Sequence, residues 1–135
     1  MLKQRVLVVD DEKDIVNCLS MRLEKNEYEV LTASDGFQAA KTAMNETPDL
    51  IILDIGMPSG NGHEVVRCLR ADEKTCHIPI IFLTAHTSEE DYRKAVENGV
   101  ERYITKPFRA ESLMSAVEEL LKQSRNPLAL ARKER

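Results

Sequence analysis

The chain has no apolar run near the ~18 residues that a membrane span requires. Its opening, Met1-Leu2-Lys3-Gln4-Arg5, has no apolar core of the kind a secretory signal needs. Basic residues are not in excess: 19 lysines and arginines face 23 acids, a net charge of −4. That balance argues against nucleic-acid binding by this domain alone, because phosphate backbones select basic surfaces. Cysteine is scarce. Cys18, Cys68 and Cys76 are odd in number and nowhere spaced C-x-x-C, so neither a disulfide framework nor a zinc site follows. Cys18 and Cys68 fall in helical patterns and are expected as small packing residues. Cys76-His77 has no matching second half of a metal site, and the 3 histidines suggest no ligand set. No repeat or low-complexity segment occurs. What remains is one domain of common size, 135 residues with 42% hydrophobic content, expected in the cytoplasm and off the membrane.

What is present is a set of short apolar runs, each ending on a polar residue that phosphoryl chemistry uses. Val6-Leu7-Val8-Val9 runs into Asp10 and Asp11, and Leu50-Ile51-Ile52-Leu53 into Asp54. Ile80-Ile81-Phe82-Leu83 runs into Thr84, and Tyr103-Ile104-Thr105 into Lys106-Pro107. Short β-branched runs read as buried parallel strands, with the polar residues at their carboxyl ends. In an open α/β sheet those ends share one edge, where ligands bind at a topological switch point. Singly, Asp10 and Asp11 would be helix caps, Asp54 a turn residue, Thr84 a strand end and Lys106 a solvated loop residue. Three acids, a hydroxyl and a lysine converging on one edge form a candidate phosphorylation site.

Strands are predicted near 5–10, 28–33, 50–54, 79–84 and 102–105, with helical spacing between them. The helical stripes are Ile15, Val16, Leu19 and Leu23; Ala39, Ala40, Ala43 and Met44; Val65, Val66 and Leu69; Tyr92, Ala95 and Val96; and Leu113, Val117, Leu120 and Leu121. Asn98-Gly99 reads as a helix C-cap. Thr87-Ser88 before Glu89-Glu90-Asp91 reads as an N-cap followed by acids that favour the macrodipole. Five βα units with right-handed crossovers give a parallel sheet covered on both faces by helices.

These residues resemble the response-regulator receiver domain, the phosphoacceptor module of two-component signalling. The resemblance runs from about Lys3 to Ser124 and rests on V-L-V-V-D-D, L-I-I-L-D-I-G-M-P-S-G-N-G, I-I-F-L-T-A and Y-I-T-K-P-F, in that order. It implies a flavodoxin-like (βα)5 three-layer sandwich, a doubly wound five-stranded parallel sheet of order 2-1-3-4-5. It also implies roles. Asp54 is expected as the phosphoacceptor nucleophile. Mg2+ is the expected cofactor, held by Asp11, Asp54 and the backbone carbonyl of Gly56, with Asp10 acting through water. Lys106 would place its charge, and Thr84 its hydroxyl, on the phosphoryl oxygens. The Lys106-Pro107 bond is expected to be cis, Tyr103 to be the switch aromatic, and Gly56 and His86 to tune phosphoryl lifetime. The implied partners are a histidine kinase or histidine phosphotransfer protein, with a second copy docking through the fourth helix, fifth strand and fifth helix. Such a domain catalyses only its own phosphorylation and dephosphorylation.

Other functions fit less well. A Mg2+-dependent aspartyl-phosphate phosphatase typically carries a second acid two residues after its nucleophile, and Asp54-Ile55-Gly56 has none. A flavodoxin-like cofactor binder needs a hydroxyl- and glycine-rich first loop, where Asp10-Asp11 would repel phosphate. A receiver without phosphorylation would lack a pocket residue, and none is missing. Gly60 departs from the family pattern, where a larger residue, often Met, is common. Residues 1–124 are expected as the receiver and 125–135 as a tail, or as a linker in a receiver excised from a longer regulator or hybrid kinase.

Overall fold

The computed structural model describes residues 3–56, 62–85 and 88–124. Strands and helices alternate: β1 Arg5–Val9, α1 Lys13–Lys25, β2 Glu29–Ala33, α2 Gly36–Glu46, β3 Leu50–Asp54, α3 Gly62–Ala71, β4 Ile80–Thr84, α4 Glu89–Glu97, β5 Arg102–Thr105 and α5 Ala110–Ser124. All pairings are parallel, in the order β2-β1-β3-β4-β5. The predicted sheet and its order are what the chain adopts.

Alternation along each strand builds the two cores. Leu7, Val9, Ile51, Leu53, Ile80 and Phe82 meet the buried faces of α2, α3 and α4. Their neighbours Val6, Val8, Leu50, Ile52, Ile81 and Leu83 meet α1 and α5. A central strand buried on both faces needs an unbroken apolar run, which is why β3 and β4 read as solid hydrophobic text.

The helix stripes are confirmed on α1, α2, α3 and α5 and corrected on α4. There only Ala95 is buried, while Tyr92 and Val96 are 55% and 58% exposed. Their apolar spacing therefore marks a surface. The packing role expected of Cys18 and Cys68 is also corrected, since both are exposed. Leu19 and Leu69, each one residue further along its helix, are buried in their place.

The caps form where the sequence placed them. The Ser88 hydroxyl accepts from the Asp91 amide at 3.1 Å, ahead of a first turn holding Glu89, Glu90 and Asp91. Asn98 ends the helix and Gly99 follows at φ +72, the left-handed region that glycine adopts without a Cβ penalty. The expected role of Thr87 in this cap, the departure at Gly60 and the tail 125–135 lie outside the described residues.

Candidate functional site

Register brings the acids together. Val9 pairs with Leu53 across β1 and β3, so Asp10 and Asp54, the next residues, emerge side by side at the switch point. Both are buried and Asp11 is exposed, yet one carboxylate oxygen from each of the three lies within 4.8 Å of the others. The capping alternative for Asp10 and Asp11 does not hold. The N-cap of α1 is Glu12, which makes no side-chain cap bond, and the Asp10 carboxylate instead accepts from the Glu12 amide at 3.0 Å.

Lys106 enters from the end of β5. Its amide donates to the Thr84 carbonyl at 2.7 Å, and the following Lys106-Pro107 bond is cis. The ammonium donates to Asp10 Oδ2 at 3.1 Å and to Asp54 Oδ2 at 3.2 Å, with Glu12 Oε1 at 3.7 Å. The other Asp54 oxygen accepts from the Gly56 amide at 2.9 Å. Lys106, expected to place its charge on phosphoryl oxygens, spans the two buried acids.

The electrostatics are unbalanced. Burial pushes the Asp10 carboxyl up to about 6, and the nearby Asp54 charge adds to the rise, against the opposing pull of the Glu12 amide and Lys106. Burial alone would lower the Lys106 ammonium. Its bonds to Asp10 and Asp54 outweigh that, and the net shift is upward. Three closely spaced carboxylate oxygens suit a small, hard dication, which would relieve their mutual repulsion. The residues fit Mg2+.

Thr84 is fully buried and falls, by alternation after Phe82, on the α4 side of the sheet. Tyr103 stands in register with Phe82 on β5. Its ring lies 6.5 Å from Phe82 and 5.5 Å, edge to face, from Tyr92 of α4, and its hydroxyl is within hydrogen-bonding reach of Thr84. Burial raises the Tyr103 phenol, Thr84 opposes that rise and the Asp91 carboxylate adds to it. The Thr84 hydroxyl and the aromatic expected as the switch therefore lie side by side. His86 lies outside the described residues, so only Gly56 of the expected lifetime pair is placed.

Two features were not anticipated from the sequence. Glu12 sits beside Lys106, and its only signal was its place directly after the acid pair. His63, buried on α3, meets Asp91 of α4 at 3.2 Å, and a polar residue beside the Val65-Val66-Leu69 stripe was its only signal.

The comparisons with known proteins agree with this fold. The response regulator receiver domain family matches residues 6–118. The alkaline phosphatase synthesis transcriptional regulatory protein PhoP of Bacillus subtilis (strain 168) is 42% identical over 91% of this chain and 50% of its own length. The DNA-binding dual master transcriptional regulator RpaA of Synechocystis is 37% identical over 89% of this chain, again 50% of its own length. The chain thus spans about half the length of these two curated relatives. Among solved structures, chemotaxis response regulator CheY4 of Vibrio cholerae superposes with a TM-score of 0.82 at 34% identity, covering 88% of this chain and 99% of that one. The receiver domain of sensor histidine kinase PA1611 from Pseudomonas aeruginosa PAO1, described with a magnesium ion coordinated in its active site cleft, gives 0.81 at 28% identity, covering 90% and 99%.

Proposed function

The chain belongs to the response regulator receiver domain family, and from that premise we infer that Asp54 is its phosphoacceptor. A partner histidine, or a small donor such as acetyl phosphate, would supply the group. An Asp54 carboxylate oxygen attacks phosphorus, the bond from phosphorus to the donor breaks, and an acyl phosphate is left on Asp54. Water later attacks phosphorus and returns the carboxylate and inorganic phosphate. The domain would thus catalyse only its own phosphorylation and hydrolysis.

The carrying observation is the Lys106 ammonium held between Asp10 and Asp54 at 3.1 and 3.2 Å, beside the third acid Asp11. Asp11, Asp54 and the Gly56 carbonyl would hold Mg2+, with Asp10 acting through water. When bound, the ion supplies positive charge that lets an anionic phosphoryl group approach three carboxylates. Lys106 would exchange its Asp54 contact for the phosphoryl oxygens, and the Thr84 hydroxyl would turn to the same group. That turn takes from Tyr103 its neighbour and alters the α4-β5-α5 face, where Tyr92 and Val96 are exposed, biasing a two-state equilibrium.

A histidine kinase or histidine phosphotransfer protein is the partner this chemistry needs, and a second copy is the partner for the altered face. Among the described residues no helix is long and apolar enough to cross a membrane; a cytoplasmic place fits the partners. The half-length match to two transcriptional regulators supports a second reading, in which the same receiver controls an output domain in a longer protein.

Incubation with Mg2+ and acetyl phosphate should add one phosphoryl group labile to hydroxylamine, and Asp54→Asn should abolish it. Acid-stable label, or unchanged labelling of Asp54→Asn, would sink the assignment.

A further inference from the structure

Four aromatic rings and one carboxylate form a closed circuit between the site and α4. The His63 ring stands edge-on to Phe82 at 5.3 Å, Phe82 neighbours Tyr103 at 6.5 Å, and Tyr103 meets Tyr92 at 5.5 Å. Asp91, adjacent to Tyr92 on α4, closes the circuit through its 3.2 Å contact with His63 Nε2. This contact is largely shielded, with the two side chains 9% and 31% exposed, so water and salt weaken it less than a surface pair. The His63 end is tied to the phosphoacceptor strand. Gly62, one residue earlier, packs so closely on Ile55 that a Cβ there would lie 2.7 Å from Ile55 Cγ2 and 2.8 Å from its Cα. Ile55 directly follows Asp54.

We propose that the His63–Asp91 contact is a latch that holds the first turn of α4 against α3 in the resting protein and so sets how rarely the activated arrangement is visited. His63 is a positioning residue, which acts through Asp91 and the Phe82 ring. The inference rests on the reading of Asp54 as phosphoacceptor and Tyr103 as switch. Any turn of the Tyr103 ring displaces its two ring neighbours, Phe82 and Tyr92. Those neighbours are seated on His63 and beside Asp91, so the contact cannot keep its geometry while the ring moves. An interaction made only in the resting state lowers the apparent affinity of a phosphoryl analogue by the fraction of molecules able to accept it. Removing the contact must tighten that affinity by the same factor that it releases α4.

The test is titration of the full chain with beryllofluoride and Mg2+, followed by the amide resonances of Glu89–Glu97. His63→Leu and Asp91→Ala should each tighten the analogue roughly fivefold. The double variant should gain no more than either alone, and His63→Gln, which keeps a donor at the Nε2 position, should restore the wild-type affinity. In the absence of any ligand, the α4 amides of His63→Leu should already be displaced toward their beryllofluoride-bound positions. Asp91→Ala lies at a half-exposed position and serves if His63→Leu does not fold. Unchanged or weaker binding in the single variants, additive effects, or His63→Gln behaving as His63→Leu would overturn the latch alone. Wild-type protein that ignores beryllofluoride, or Asp54→Asn that binds it equally, would instead overturn the phosphoacceptor reading on which the latch stands.

Discussion

At the amino-terminal edge of the sheet, Arg70 donates to the carbonyls of Asn98, Cys76, Ile78 and Gly99 and to the Glu101 carboxylate. All the N–H groups of a guanidinium are thereby used, and Glu101 also accepts from the Ile80 amide at 2.8 Å. At the carboxyl edge, Asp10, Asp11 and Asp54 crowd within 4.8 Å, and Lys106 bridges two of them. One edge satisfies its charge internally and ties α3, β4 and the α4-β5 turn together. The other gathers three acids, two of them buried, around one lysine, the kind of perturbed cluster in which functional sites are enriched. The lesson is one of division of labour: the edge away from the acids ties elements together, and the edge with the acids carries more negative charge than its lysine balances.

The largest expected effect breaks the first edge. Arg70→Met should destabilise the domain by about 3 kcal/mol, since it takes the donor from the part-buried carbonyls of Asn98 and Ile78 and leaves Glu101 only the Ile80 amide. Phosphoryl acceptance measured well below the new melting temperature should be unchanged. Urea melts and acetyl phosphate labelling on the same samples separate the two. Loss of labelling in a folded Arg70→Met protein would show that the edges are coupled and the comparison is false.

The second effect lies at the site and follows the Asp10 carboxyl, raised from 3.8 to about 6. Between those two values the folded state binds more protons than the unfolded state, so stability falls as pH rises. The penalty is absent below the unfolded value and complete above about 6. In EDTA, raising the pH from 4 to 7 should remove about 2 kcal/mol from wild type relative to Asp10→Asn, which cannot ionise but still accepts from the Glu12 amide. Parallel stability curves for the two proteins would mean that Asp10 carries no such burden.

The sequence exposes the two edges unequally. Asp10, Asp54, Thr84 and Lys106 are legible because each ends an apolar run, and parallel register carries run ends to a common edge. The sheet order is legible through the resemblance that those same residues carry. The Arg70 clamp is invisible because its acceptors are mostly backbone carbonyls, which carry no residue identity. The His63–Asp91 contact spans 28 positions and depends on how α3 and α4 pack, something that periodicity does not encode. Tyr92 and Val96 misled for a related reason: helical spacing reports a shared face, and not what covers it.

The smallest effect sharpens the division within the acid cluster itself. Mg2+ at ten times its dissociation constant should stabilise wild type by about 1.4 kcal/mol through mass action. Asp11 is exposed where Asp10 is buried, so Asp11→Asn should leave the EDTA melt nearly where it was. As a direct ligand, however, its loss should weaken the ion and reduce that gain at the same Mg2+ concentration. Asp10→Asn should do the reverse in emphasis, with a higher EDTA melt and a smaller loss of Mg2+ response, because its expected contact runs through water. Thermal melts of the three proteins with EDTA and with Mg2+ give all six values. If Mg2+ raises all three equally, the acids do not share an ion, and the surplus charge at this edge must have another use.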